Sequence, residues 1–183
     1  MKKIKGLLYC CKAKPSLMKY ENIDGYYTDT DPVLDKRALL NGKIVAECDF
    51  EVEEIVCDGY AYLPLNSNPA ELETKSCLTE QELEKYFTKK YGLVGYALHI
   101  SNLKIFDKPR ELSDYHISYF NKEFNMMREK HIEKSPKNMC RAFDIKDTYI
   151  LISIKPEWLC KILNGEQTIL IKKQVLKCMK GNE

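Results

Sequence analysis

Lysines and hydroxyl residues stand together where several predicted strands of this 183-residue chain begin or end. Two of the lysines leave a strand near the N-terminus, and the other four residues flank a predicted helix near the C-terminus. The set consists of Lys12, Lys14, Ser153, Lys155, Thr168 and Lys172. Lysines beside aromatic rings suit phosphate contact and base stacking, which is the chemistry of single-stranded nucleic-acid binding. The alternative is that each lysine is a solvated strand end.

Only one of the three histidines lies where it could act chemically. His99 sits in the strand-like run YALHI and points away from the core if its two neighbours face inward. It could hydrogen-bond a base or a phosphate, or transfer a proton near neutral pH. A structural, hydrogen-bonded histidine is the alternative, and we favour it slightly. His116 and His131 fall on a predicted amphipathic helix and are expected at the surface.

Composition excludes several classes of protein. The net charge of +2 argues against a strongly electrostatic partner such as bulk duplex DNA. The sequence has no signal peptide and no apolar run of membrane-spanning length, and the eight cysteines are expected to be reduced thiols in the cytoplasm. There is no C-x-x-C pair and no Gly-rich phosphate loop, so we expect neither a metal nor a cofactor.

Hydrophobic periodicity predicts the elements that would position these side chains. Strands are predicted at 7–13, 43–55, 95–106, 136–145, 150–155 and 168–173. Helices are predicted at 33–40, 79–92, 109–132 and 156–165, the second opened by a capping box of Thr79 and Glu82. In the strand at 43–55 one face is apolar, and the other is acidic and expected to be solvated.

The segment SIKPEWLCKILNGEQTILIKK, residues 153–173, resembles the strand–helix–strand unit that opens ASCH-domain proteins of the PUA-like superfamily. LYCCKAKP, LNGKIVAECDFEVEEI, YALHISNLKIFDKPRELSDY and SPKNMCRAF are similar to later segments of that family. The family's first unit, at 148–175, comes last here, which is the order of a circular permutant. The resemblance implies one α+β domain over 1–183: a PUA-like β-barrel of about five to six strands with flanking helices.

The resemblance also implies a ligand-binding cleft in which the lysines converge. The residues that would line it are Lys12, Lys14, Tyr96, His99, Ser153, Lys155, Gln167, Thr168 and Lys172. The expected ligand is RNA or a modified nucleoside, without catalysis. Relatives that hydrolyse the amide of N4-acetylcytidine carry Lys and Thr where this chain has Gln167 and Leu170, and a neutral amide cannot serve as nucleophile or base.

Two other functions stay open at this point. The first is hydrolysis of a modified nucleoside or of RNA by His99, Lys155 or Lys172. The second is a protein-interaction module with an unused cleft. A monomer closed within one chain is favoured over a dimer that swaps its C-terminal unit.

Overall fold

The computed structural model describes residues 3–12, 16–17, 27–28, 40–57, 62–87 and 94–180. Lys14 and the helix predicted at 33–40, apart from Leu40, lie outside these ranges. The strands are β1 (Lys3–Cys10), β2 (Ser16–Leu17), β3 (Tyr27–Thr28), β4 (Ile44–Cys57), β5 (Tyr62–Pro64), β6 (Val94–Arg110), β7 (His116–Asn121), β8 (Met126–His131), β9 (Met139–Phe143), β10 (Thr148–Ile154) and β11 (Ile169–Lys172). The helices are α1 (Pro69–Ser76), α2 (Glu80–Phe87) and α3 (Pro156–Leu163).

The fold is α+β, with a mostly antiparallel sheet of nine strands in the described ranges. The strand order is β11-β6-β4-β1-β10-β9-β7-β8, with β5 paired to β4. This order does not close on itself, so the predicted closed barrel of five to six strands is wrong for the described part of the chain. One physical reason is the edge strand β8, whose charged residues Arg128, Glu129 and Lys130 discourage further strand pairing.

The helix predicted at 109–132 is also wrong, because these residues form the end of β6 and the antiparallel hairpin β7–β8. The side chain of Asn121 accepts hydrogen bonds from the backbone N–H groups of Glu123 and Phe124, and Asn125 adopts a φ of 49°. These contacts build a turn and compete with helix formation. Of the apolar residues at helical spacing, Phe120, Phe124 and Met127 are exposed, Phe120 at 54%, and Ile117 is half-buried against the core of the second unit.

The chain divides into two compact units. The first unit comprises Met1–Ile4, Asp49–Asn102 and Asn164–Glu183, and the second comprises Lys5–Cys48 and Leu103–Leu163. The core of the first unit contains Ile55, Tyr62, Leu72, Leu83, Phe87, Ala97, Ile169 and Ile171. The core of the second unit contains Leu7, Tyr9, Ile44, Phe106, Tyr115, Ile132, Ala142, Tyr149 and Leu151.

Two short helices complete the first unit. The helix α1, which the sequence analysis did not predict, begins at the N-cap Asn68, whose side chain accepts the N–H of Glu71 at 2.7 Å. Pro69 follows at the first helical position, where a missing N–H has no cost. The predicted capping box of α2 is confirmed, since Thr79 and Glu82 exchange side-chain and backbone hydrogen bonds.

In the part of β4 that belongs to the first unit, the side chains that face the core change from even-numbered to odd-numbered residues. The alternation predicted from the sequence puts Val52 in the core and the neighbouring acids in solvent. Instead Val52 is half-buried, while Glu53 is 1% exposed and Ile55 is fully buried. A shift of one residue between Phe50 and Glu53 turns one carboxylate of the acidic face inward.

Candidate functional site

The side chain of Glu53 is buried and accepts four hydrogen bonds in the first unit. One carboxylate oxygen, Oε1, accepts the backbone N–H groups of Asn66 and Ser67 at 2.5 and 2.7 Å. The other, Oε2, accepts the Ser67 hydroxyl at 2.8 Å and approaches His99 Nε2 to 2.6 Å. These donors satisfy a carboxylate that would otherwise be costly to bury.

The loop before α1 supplies most of these donors, because residues 66–67 turn their N–H groups toward β4 just ahead of the N-cap. Burial by itself raises the pKa of Glu53, yet the hydrogen bonds from Ser67, Asn66 and His99 together hold its pKa below the ordinary value. Glu53 therefore stays ionised at neutral pH.

His99 is the half-buried partner of this pair, with 25% of its side chain accessible while that of Glu53 is fully buried. An ionised carboxylate can only accept a hydrogen bond, so Nε2 of His99 must carry a proton. In the neutral form of the imidazole, Nδ1 is then the acceptor nitrogen. A carboxylate that orients a histidine and fixes its tautomer is the arrangement found beside histidines that bind metals or transfer protons.

Gln167 lies close to α1 in the same unit but is not exposed. It is 4% accessible, and its Nε2 donates to the backbone oxygens of Ser76 and Ile169 at 3.1 and 3.0 Å. Gln167 therefore satisfies a carbonyl of the last turn of α1. Its own Oε1 is buried and has no hydrogen-bond partner among the residues that the structure describes. Thr168, next in sequence, bonds through its backbone to Lys75 and Ile100.

Tyr96 and Lys172 face away from His99. In the antiparallel pairing of β6 with β11, Lys172 stands opposite Tyr96 and Ile169 stands opposite His99. Because Tyr96 and His99 are three residues apart on one strand, their side chains point to opposite faces. Tyr96 is buried, and the ammonium group of Lys180 lies 4.9 Å from its ring centroid. Burial lowers the pKa of Lys172.

The second unit holds the other predicted ligand residues. Ser153 is half-buried on β10, and its backbone N–H donates to Asn138 at 2.9 Å. Lys155 is exposed directly before α3, with its Nζ 3.9 Å from a carboxylate oxygen of Glu157. Lys12 is exposed just past the end of β1. The first unit thus brings His99 together with Glu53, while Ser153, Lys155 and Lys12 belong to the second unit.

Glu53 and Ser67 are the site residues that the sequence analysis missed. The sequence did contain a signal for Glu53. Phe50 and Ile55 are both apolar, but they are five residues apart and would face opposite sides of a regular strand. A strand that buries both must change phase between them, and Glu53 then shares the face of Ile55. The signal for Ser67 was Asn68-Pro69, an N-cap followed by a first-turn proline.

The described residues hold no group of three or more His, Cys, Asp or Glu side chains arranged to bind a metal. The cysteine side chains that the structure describes, at positions 10, 11, 48, 77, 140, 160 and 178, form no disulfide with one another. Within the same ranges, no helix combines the length and the apolar character that crossing a bilayer would require. Comparison of the chain with protein-family models, with curated proteins and with solved structures found no match.

Proposed function

We propose that this chain is a PUA-like, ASCH-type domain that binds RNA or a modified nucleoside, with His99 as a residue that contacts the base. The observation that carries the proposal is the pairing of His99 with the buried Glu53 at 2.6 Å. A fixed ring with one protonated nitrogen and one acceptor nitrogen matches the donor and acceptor groups on the edge of a nucleobase. A free surface histidine would have to give up rotamer entropy to offer the same pattern.

The permuted order is part of the same proposal. The strand–helix–strand segment β10–α3–β11 at the end of the chain is joined to its start by parallel pairing of β10 with β1, from Gly6 opposite Ile150 to Cys10 opposite Ile154. This pairing supports closure within one chain and hence a monomer. Light scattering coupled to size exclusion would show a mass of twice 21.4 kDa if the C-terminal unit were swapped instead.

Binding is tested by fluorescence anisotropy of short single-stranded RNA at two salt concentrations. The main variant is His99→Ala, Lys155→Ala and Lys172→Ala test the two other predicted ligand residues, and Lys146→Ala serves as the control because it removes a charge at an exposed lysine. We expect binding that survives the higher salt and weakens in His99→Ala, whereas Lys146→Ala keeps the wild-type affinity. Binding that vanishes with salt, or that ignores all of these changes, would reject RNA and leave a protein-interaction module as the better description.

Hydrolysis of a modified nucleoside or of RNA is the second candidate, and the Glu53–His99 pair favours it. With Nε2 protonated and hydrogen-bonded to Glu53, Nδ1 of His99 could take a proton from an attacking water. Mass spectrometry of N4-acetylcytidine and of RNA after incubation would detect the products. We expect any such activity to fall in both Glu53→Gln and His99→Gln, and activity that survives in both variants would exclude this mechanism.

We further propose that the protein works in a reducing compartment such as the cytoplasm. The support is that no disulfide joins the cysteine side chains that the structure describes, and that Cys10, Cys48 and Cys160 are buried.

A further inference from the structure

A groove of about 560 Å³ opens in the second unit next to Lys12. Its walls come from four separate segments: the end of β1, the turn before β4, the 3-10 turn after β6 and the residues that follow β8. The polar groups lining it include Tyr9, Lys12, Ser113, Lys134 and Ser135. The volume lies in the range of about 300–1,000 Å³ that is usual for sites of small ligands.

The position of Lys12 is built into the fold. The backbone N–H of Gly42 donates to Cys10 at 2.7 Å, and that of Cys10 donates to Lys43 at 2.9 Å, which holds the turn against the end of β1. A Cβ atom at Gly42 would lie 2.6 Å from Cε of Lys12 and 3.4 Å from its Cγ. The aliphatic part of Lys12 therefore crosses the bare Cα of Gly42, whose φ of 84° also favours glycine.

The charges around the groove leave a positive excess. The carboxylate of Glu111 forms an ion pair with Lys43 and caps the 3-10 turn that begins at Leu112. Glu133 is the other acid of the lining. Lys12 and Lys134 have no ion-pair partner within the described ranges. With Glu111 paired to Lys43, the two lysines outnumber the remaining acid Glu133 by one positive charge, and this excess attracts an anion.

Hydroxyl groups complete the donor set. Ser113 and Ser135 are exposed at the groove, and the buried phenol of Tyr9 is hydrogen-bonded to Ser135. Burial raises the pKa of Tyr9 despite that hydrogen bond, so its hydroxyl stays protonated at neutral pH. Lysine ammonium groups with neutral hydroxyl donors are the groups that proteins use to bind phosphate oxygens.

We propose that this groove binds the phosphate group of a nucleotide or of RNA, with Lys12 and Lys134 as the charged contacts and the two serines as hydrogen-bond donors. This inference rests on the proposed function and narrows its ligand class. The ligand would be a phosphorylated nucleotide or RNA, because a free nucleoside offers this groove no phosphate oxygens.

The test uses uridine 5′-monophosphate, uridine and inorganic phosphate as probes, titrated at constant ionic strength and followed by proton–nitrogen NMR. We expect the monophosphate to bind at least about tenfold more tightly than uridine, since a charged hydrogen bond contributes about 1.5–3 kcal/mol. The double variant Lys12→Gln/Lys134→Gln should remove this advantage. The double variant Lys108→Gln/Lys146→Gln, which loses the same charge at two exposed lysines outside the lining, should keep it.

Gly42→Ala provides a test in which no charge changes. Its methyl group would displace Lys12, so we expect monophosphate binding to weaken while the resonances of the second unit still report a folded chain. Equal affinity for monophosphate and uridine would overturn the phosphate inference and leave the proposed function standing. Binding of monophosphate and inorganic phosphate at these lysines, without affinity for single-stranded RNA or uridine, would support the groove and reject the proposed function.

Discussion

Replacement of Glu53 tests whether the buried carboxylate organises the site. Glu53→Ala removes the acceptor of four hydrogen bonds, from Asn66, Ser67 twice and His99. Each buried donor left without a partner costs about 1–3 kcal/mol, but the costs are not additive because water can enter the space. We therefore expect the free energy of unfolding to fall by about 3–5 kcal/mol, the usual effect of removing one member of a buried pair.

Glu53→Gln should be milder, at about 1–2 kcal/mol. Its amide oxygen can still accept from Asn66 and Ser67, but its NH₂ group replaces the oxygen that accepts from His99. The pH dependence of the free energy of unfolding then separates the effect of the negative charge of Glu53 from the effect of its side-chain shape. Because the folded-state pKa of Glu53 is lowered, its contribution is present above the ordinary glutamate value of about 4.3 and is lost as the pH falls through the folded value.

The assay is urea unfolding of wild type, Glu53→Gln and Glu53→Ala at pH 7 and at pH 3. The control is Glu54→Ala, since Glu54 is the exposed neighbour on the same strand and should change stability by less than about 0.5 kcal/mol. We expect the gap between wild type and Glu53→Gln to narrow at pH 3. The reasoning fails if that gap is independent of pH, or if Glu53→Ala costs no more than Glu54→Ala.

Three further predictions concern packing and exposure. Burial raises the pKa of Cys140 to about 11, so at pH 8 iodoacetamide should alkylate this thiol far more slowly in the folded than in the unfolded chain, as measured by peptide mass spectrometry. Gly95→Ala would place a Cβ 1.8 Å from a ring carbon of Phe87, so thermal unfolding should show a loss of about 1–3 kcal/mol, and an unchanged midpoint would contradict this packing. Phe120→Thr should alter stability by less than about 0.5 kcal/mol because the ring is 54% exposed on β7, whereas a core phenylalanine on a helix would lose several times more.

The sequence alone determined most of the strands and two of the three helices. The alternation of apolar residues around Ile44 predicts a strand and the capping box at Thr79 predicts a helix start, because each pattern is complete within a few residues of the sequence. The same locality explains Gly165, at which the helix predicted at 156–165 ends and which has a φ of 78°, in the left-handed region that favours glycine. The exposed position of Lys155 also follows from its place between a strand and a helix.

Tertiary structure decided the hairpin, the open sheet and the Glu53–His99 pair. The apolar spacing of residues 117–127 fits a helix as well as two strands, and only pairing with β9 and the turn at Asn121 selects the strands. The partners Glu53 and His99 are 46 residues apart, and their meeting depends on a phase change in β4 and on the loop before α1. Local patterns carry no information on which distant groups will satisfy a buried charge, because that choice is made by the packing of the whole unit.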